Sequence, residues 1–294
     1  MHIYAKRDDR LRNLFGNKIR YIEYLFGLYK IGGYDSIVHA GGLTSNYLLQ
    51  IAMAGASCQI PVHILINGKR PPVLSGNNLL EEIFARSVNY VETEENTNSG
   101  IKKEYAESLR KKGGNPLVID YPISNYYAHI GYMKAYEEIR EQISQGDLPL
   151  IDHIYLCSGF HSYLGLRMAA DLMNDPIKIT AFRASWWKET GLGNMYPDLN
   201  EFLLEKVREF SDFCGMKIPS REFDLNDSFA GKGYAKPDER SVRSLRLLAE
   251  TEGILLDPVY TAKAFSGMID TLEKGQHAAG DSILFIHTGG ILNI

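Results

Sequence analysis

Short apolar runs recur along this chain, each too short for a helix and each followed by a longer amphipathic stretch. They lie at 36–39, 62–66, 90–92, 116–119, 153–156, 178–182 and 282–286, and several are rich in β-branched residues. Runs of this kind are what parallel strands buried on both faces look like. Between them, 45–54, 78–86, 102–112, 132–144, 199–214, 239–252 and 262–274 carry the helical period. Strand and helix in repetition predict an α/β protein with open parallel twisted sheets flanked by helices.

Composition narrows the function. The chain has 294 residues, 45% hydrophobic and 23% charged, with net charge -4. That length supports a full core in one large or two modest domains. A mildly acidic balance without a basic cluster argues against nucleic acid and makes a small molecule the expected partner. Cys58, Cys157 and Cys214 form no CxxC pair, so neither a disulfide framework nor a metal site is expected, and they read as buried small hydrophobes. No stretch reaches the ~18 apolar residues needed to cross a bilayer, and the N-terminus has no apolar signal core, so the expected location is cytosolic.

One lysine stands out. Lys18 closes a Gly-Asn-Lys turn at the mouth of a helix, upstream of a Gly-Gly turn that leads to Ser45 and Asn46. An amine held near a cleft and partly desolvated is what carbonyl chemistry requires, which makes Lys18 a Schiff-base candidate. Ser45 and Asn46 are also leading helix N-cap residues.

Six segments occur in a fixed order: KRDD at 6–9, GNKIRYIEYL at 16–25, GGLTSNYLLQIA at 41–52, FAGKGYAKP at 229–237, EGILLDPVYTAKAFSGMID at 252–270 and LFIHTGG at 284–290. Together they resemble the pyridoxal-phosphate-dependent family of D-cysteine desulfhydrase and 1-aminocyclopropane-1-carboxylate deaminase, with the tryptophan-synthase-β-like fold. The resemblance covers nearly the whole chain and is most specific in 252–264. It implies a large cofactor-binding domain, 1–20 with 132–294, a small domain, 21–131, a cleft between them, and a homodimer. Pyridoxal 5'-phosphate would be attached to Lys18. Asn46 would meet its phenolic oxygen and Thr288 its pyridine nitrogen, while Ser158, Gly159 and Ser162 would hold its phosphate. Ser45 would bind the substrate carboxylate, and Tyr234 and Tyr260 would line the substrate pocket as proton-moving phenols, with pKa values lowered beside the cationic cofactor.

Departures from the pattern are equally specific. Relatives have a Gly, Ser and Thr-rich phosphate loop, because backbone N–H groups converge on an anion only where side chains stay clear. Here Phe160 and His161 occupy small-residue positions, and Tyr21 stands where the deaminases place a second, phosphate-reaching lysine. Weaker phosphate binding is the expectation. Tyr47, Leu49, the 124–132 stretch and the Trp186–Trp187 pair suggest a pocket rebuilt with aromatics. Thr261 falls where the deaminases carry glutamate and the desulfhydrases threonine. These features predict a lyase acting on a β-substituted amino acid, of D or L configuration, by elimination through a Lys18 aldimine. The alternatives are β-replacement or ring opening on a non-protein amino acid, and a catalytically silent binding relative, the latter suggested by the altered phosphate loop.

Overall fold

The β-branched runs become strands of two parallel sheets. A computed structural model describes residues 1–13, 16–92 and 98–290. Among them the strands are β1 (His2–Arg7), β2 (Ser36–Gly42), β3 (Val62–Asn67), β4 (Ser87–Val91), β5 (Pro116–Val118), β6 (His153–Cys157), β7 (Lys178–Phe182), β8 (Leu225–Asn226) and β9 (Ser282–His287). The helices are α1 (Ile19–Ile31), α2 (Asn46–Cys58), α3 (Gly76–Phe84), α4 (Asn98–Arg110), α5 (Ile123–Gln145), α6 (His161–Leu172), α7 (Gly191–Met195), α8 (Leu199–Cys214), α9 (Glu239–Glu252) and α10 (Thr261–Glu273).

The described residues fold as two compact units, one formed by Met1–Asp9 and 128–290, the other by Arg10–Tyr127. In the first, the strands run in the order β1-β9-β6-β7-β8, all parallel, so β6 is central. Every residue of β9 is buried, and α10 packs on this sheet through Phe265 and Met268 against Tyr155, Phe182 and Phe285. In the second unit the order is β4-β3-β2-β5, again all parallel. Its core joins Ile22 and Leu25 of α1, Leu48 and Ile51 of α2, and Ile37, Val62, Ile64 and Ile66 of the strands. Two-sided burial explains why these strands read as unbroken apolar runs.

Several expectations are corrected. β1 and β8 have no apolar run in the sequence: β1 is an edge strand carrying polar residues, and β8 is only two residues long. The 90–92 run is the end of β4, which begins at Ser87. The aromatic stretch 124–132 lies in the 23-residue α5. No proline interrupts it after Pro122. Helix α6 packs tightly on α5: a Cβ on Gly165 would come within 2.5 Å of Tyr132 Cβ and 2.6 Å of the His129 carbonyl oxygen. Only a glycine permits that approach. Of the cysteines, Cys157 is buried, but Cys58 and Cys214, each the last residue of its helix, are exposed. No helix among the described residues is long and apolar enough to cross a membrane.

Candidate active site

In the second unit, Lys18 immediately precedes α1 with helical backbone angles and makes no side-chain cap. Its backbone N–H donates to Oε1 of Gln50, a buried residue of α2, at 2.8 Å, which ties the start of α1 to α2. The Lys18 ammonium stands 6.0 Å from the centre of the Tyr21 ring. Tyr21 in turn meets Tyr47 edge to face at 5.1 Å, so two of the aromatic departures pack on each other.

Ser45 caps α2, accepting the Leu48 N–H at 3.4 Å. A hydroxyl that accepts there still has its O–H to donate. Helix α3 braces this turn. Asn77 Nδ2 donates to Asn46 Oδ1 at 2.9 Å, and Asn78 Nδ2 donates both to the Leu43 carbonyl at 2.9 Å and to Glu81 Oε2 at 3.1 Å. Glu81 is fully buried, and desolvation pushes its carboxyl up to about 7.

In the first unit the central strand β6 runs into α6 through Ser158, Gly159 and Phe160. Phe160, in the cap position, gives no side-chain hydrogen bond. Ser158 takes over: its Oγ accepts the Tyr163 N–H at 3.2 Å and the Ser162 hydroxyl at 2.8 Å. No atom lies within 4 Å of where a Cβ on Gly159 would stand, so space opens beside the turn. The Gly159 carbonyl, on the other side, accepts from the guanidinium of Arg183, the residue after β7. The Ser158 hydroxyl, which only accepts in these contacts and keeps its O–H to donate, open space and a twelve-residue helix N-terminus form a donor set that fits a phosphate.

Thr288 follows β9, the strand paired with β6, so it shares the carboxyl edge of the sheet with this turn. Beside it the His287 ring bridges two backbone groups, with Nε2 at 2.7 Å from the Leu255 carbonyl and Nδ1 accepting the Gly289 N–H at 3.1 Å. Gly290 has φ of 96°, and a Cβ there would come within 2.8 Å of the Asp257 carboxyl carbon. Segments 252–270 and 284–290 therefore meet through a contact that only glycine allows.

Asp257 organises the start of α10. It accepts from the N–H groups of Val259, Tyr260 and Thr261 at 3.0, 2.9 and 2.7 Å and from the Thr261 hydroxyl at 2.6 Å. Desolvation still raises its carboxyl above the ordinary range. Tyr260 shares a 2.5 Å hydrogen bond with the hydroxyl of Tyr234, which is exposed. Burial pushes the Tyr260 phenol up, and Tyr234 adds to the rise, so in the protein alone it stays neutral, opposite to the lowered value expected beside a cofactor.

Sequence reading missed two cations here. Lys263 is buried on α10, and its ammonium donates to the carbonyls of Ala184, Ala230 and Gly233 at 3.1, 2.7 and 2.6 Å. It thereby holds the 230–233 turn that presents Tyr234. Its setting between Ala262, Ala264 and Phe265 was the available signal, since a lysine on an apolar helix face needs partners. Arg183, at the end of an apolar strand, gave no comparable signal. The tryptophans separate as well. Trp187 is buried, with Nε1 donating to the Tyr196 carbonyl at 2.8 Å, whereas Trp186 is partly exposed and donates to the Gly231 carbonyl at 3.1 Å.

The structure thus groups Ser158, Gly159, Ser162 and Thr288 at one sheet edge and pairs Tyr234 with Tyr260, all in the first unit; Lys18, Ser45 and Asn46 belong to the second. Residues 1–289 match the family described as pyridoxal-phosphate dependent enzyme. The chain belongs to that family. Within it, the chain is 32% identical to a Pyrococcus furiosus protein provisionally named 1-aminocyclopropane-1-carboxylate deaminase, over 98% of this chain and 84% of that protein. It is 30% identical to the D-cysteine desulfhydrase of Yersinia pestis over 98% of this chain and 86% of that one. A crystal structure described as an ACC deaminase homologue superposes with a TM-score of 0.84 at 29% identity, covering 99% of this chain and 85% of that one. The chain is therefore a pyridoxal-phosphate-dependent enzyme of the deaminase and desulfhydrase group, with that group's fold of two parallel sheets flanked by helices.

Proposed function

We propose that this enzyme is a lyase that removes a β-substituent from a D-configured amino acid and, with the consumption of one water, leaves a 2-oxo acid, ammonia and the protonated leaving group. The observation that carries the reading is the Tyr234–Tyr260 hydroxyl pair, a half-buried neutral phenol hydrogen-bonded to an exposed one. Such a pair can deliver a proton to a departing group and recover it from water. Pyridoxal phosphate, when bound, supplies an electron sink for charge developing at Cα. Lys18 holds the cofactor through its amine, and Asn46 contacts the ring. The Ser45 hydroxyl and the N-terminus of α2 bind the substrate carboxylate. Ser158, Ser162 and the α6 N-terminus hold the phosphate, and Thr288 presents a neutral hydroxyl to the ring nitrogen. Thr261, whose hydroxyl donates to Asp257, stands where the deaminases carry the glutamate next to this tyrosine, which disfavours ring opening.

Borohydride reduction of the holoenzyme and peptide mapping should place the pyridoxyl group on Lys18; a label on another lysine overturns that assignment. A panel of β-substituted D-amino acids should yield 2-oxo acid and ammonia, a bulkier substituent should outperform D-cysteine, and the cyclopropane amino acid should give little product. Turnover of the cyclopropane compound above all others would replace elimination by ring opening. Tyr234→Phe and Tyr260→Phe should each lower kcat more than they raise KM.

A further inference from the structure

The altered phosphate turn has a support that glycine-rich loops do not need. Arg183 is 5% exposed. Its guanidinium lies 4.8 Å from the centre of the buried Trp187 ring and donates to the Gly159 carbonyl, while its buried Nε has no hydrogen-bond partner. Among the described residues it makes no ion pair: the acid that acts on it, Asp227, places an oxygen on the Trp187 N–H at 2.7 Å. A buried guanidinium with a spare donor and no ion pair is costly unless an anion completes its surroundings. The peptide between Gly159 and Phe160 is planar and trans, so pinning its carbonyl on one side turns the Phe160 N–H to the other.

We propose that Arg183, stacked on Trp187, is the positioning cation of the cofactor's phosphate site and takes over what additional glycines and a second lysine do in relatives. It clamps the Gly159 carbonyl, aims the following N–H groups at the anion and adds positive charge to the α6 N-terminus. Trp187 thereby belongs to phosphate anchoring, and its place in the sequence beside Trp186 does not make it a substrate contact. The inference rests on the cofactor assignment above, but its test is independent of Lys18.

The test titrates apoprotein with pyridoxal phosphate, with pyridoxal and with inorganic phosphate, following the aldehyde absorbance for the first two and calorimetry for the third. Arg183→Met should weaken pyridoxal phosphate and inorganic phosphate about ten- to hundredfold, the loss expected for a charge-assisted contact, and leave pyridoxal unchanged. Arg183→Lys keeps the charge without the planar fork and should lose less. Trp187→Phe should shift the phosphate-bearing ligands in the same direction by a smaller factor, and with Arg183→Lys it decides the matter if Arg183→Met does not fold. Equal weakening of pyridoxal and pyridoxal phosphate would reduce Arg183 to a structural residue. Unchanged phosphate affinity in all three variants would overturn the proposal, whereas a pyridoxyl label away from Lys18 would overturn the attachment site alone.

Discussion

Each unit of this enzyme carries a strand-to-helix turn at the carboxyl end of an inner strand, after β2 in one and after β6 in the other. In both, a side chain from elsewhere in the unit pins one carbonyl of the turn, Asn78 on Leu43 and Arg183 on Gly159. The turn after β2 is closed locally, with Ser45 in the cap position and neutral amides bracing it. The turn after β6 has an aromatic in the cap position, borrows its cap from Ser158 and is braced by a guanidinium. A neutral brace suffices where the turn must hold only itself. A buried cation without a carboxylate fits a turn whose counter-ion arrives with the ligand.

If the turn after β6 depends on remote groups and the one after β2 on its own cap, their variants should differ in size. Lys263→Met should have the largest effect on stability. It removes three hydrogen bonds to carbonyls, those of Ala230 and Gly233 keeping a backbone N–H each and that of Ala184, next to Arg183, losing the lysine's contact, at a cost of about 3 kcal/mol in urea unfolding. A loss no greater than that of a surface lysine would break the comparison.

Next is the pH response of the brace behind the other turn. Glu81 has its folded pKa raised to about 7 from 4.5, so the native state binds its proton more tightly than the unfolded state does. Its contribution is therefore fully present below about 4.5 and is lost as pH rises through about 7, a swing on the order of 3 kcal/mol. Glu81→Gln should flatten stability across that window, and an unchanged pH profile would show that the carboxyl titrates normally.

Smaller effects separate the caps. Ser158→Ala removes the acceptor for the Tyr163 N–H and should cost about 1 to 2 kcal/mol, whereas Ser45→Gly should cost only a few tenths. Differential scanning calorimetry of the two variants would test the order, and the reverse order would mean that the local cap is the stronger support.

The sequence by itself determined what depends on neighbours along the chain. Alternating apolar runs predicted open parallel sheets, because buried strands must be apolar on both faces, and α9 occupies the segment read from its period, 239–252. Motif order pointed to Lys18, Ser45, Asn46, Ser158, Gly159, Ser162, Tyr234, Tyr260 and Thr288 as the candidate residues. Tertiary structure decided what depends on groups distant in sequence. The edge strand β1 draws its partner β9 from 280 residues away and needs no apolar run of its own. The stretch 124–132 is helical, and from Ala128 on α5 packs closely on Gly165 of α6. Trp187 and Arg183 join the Gly159 turn because β6 and β7 are adjacent strands. A buried cation is satisfied by whatever carbonyls or anions surround it in space, and local sequence does not encode those partners.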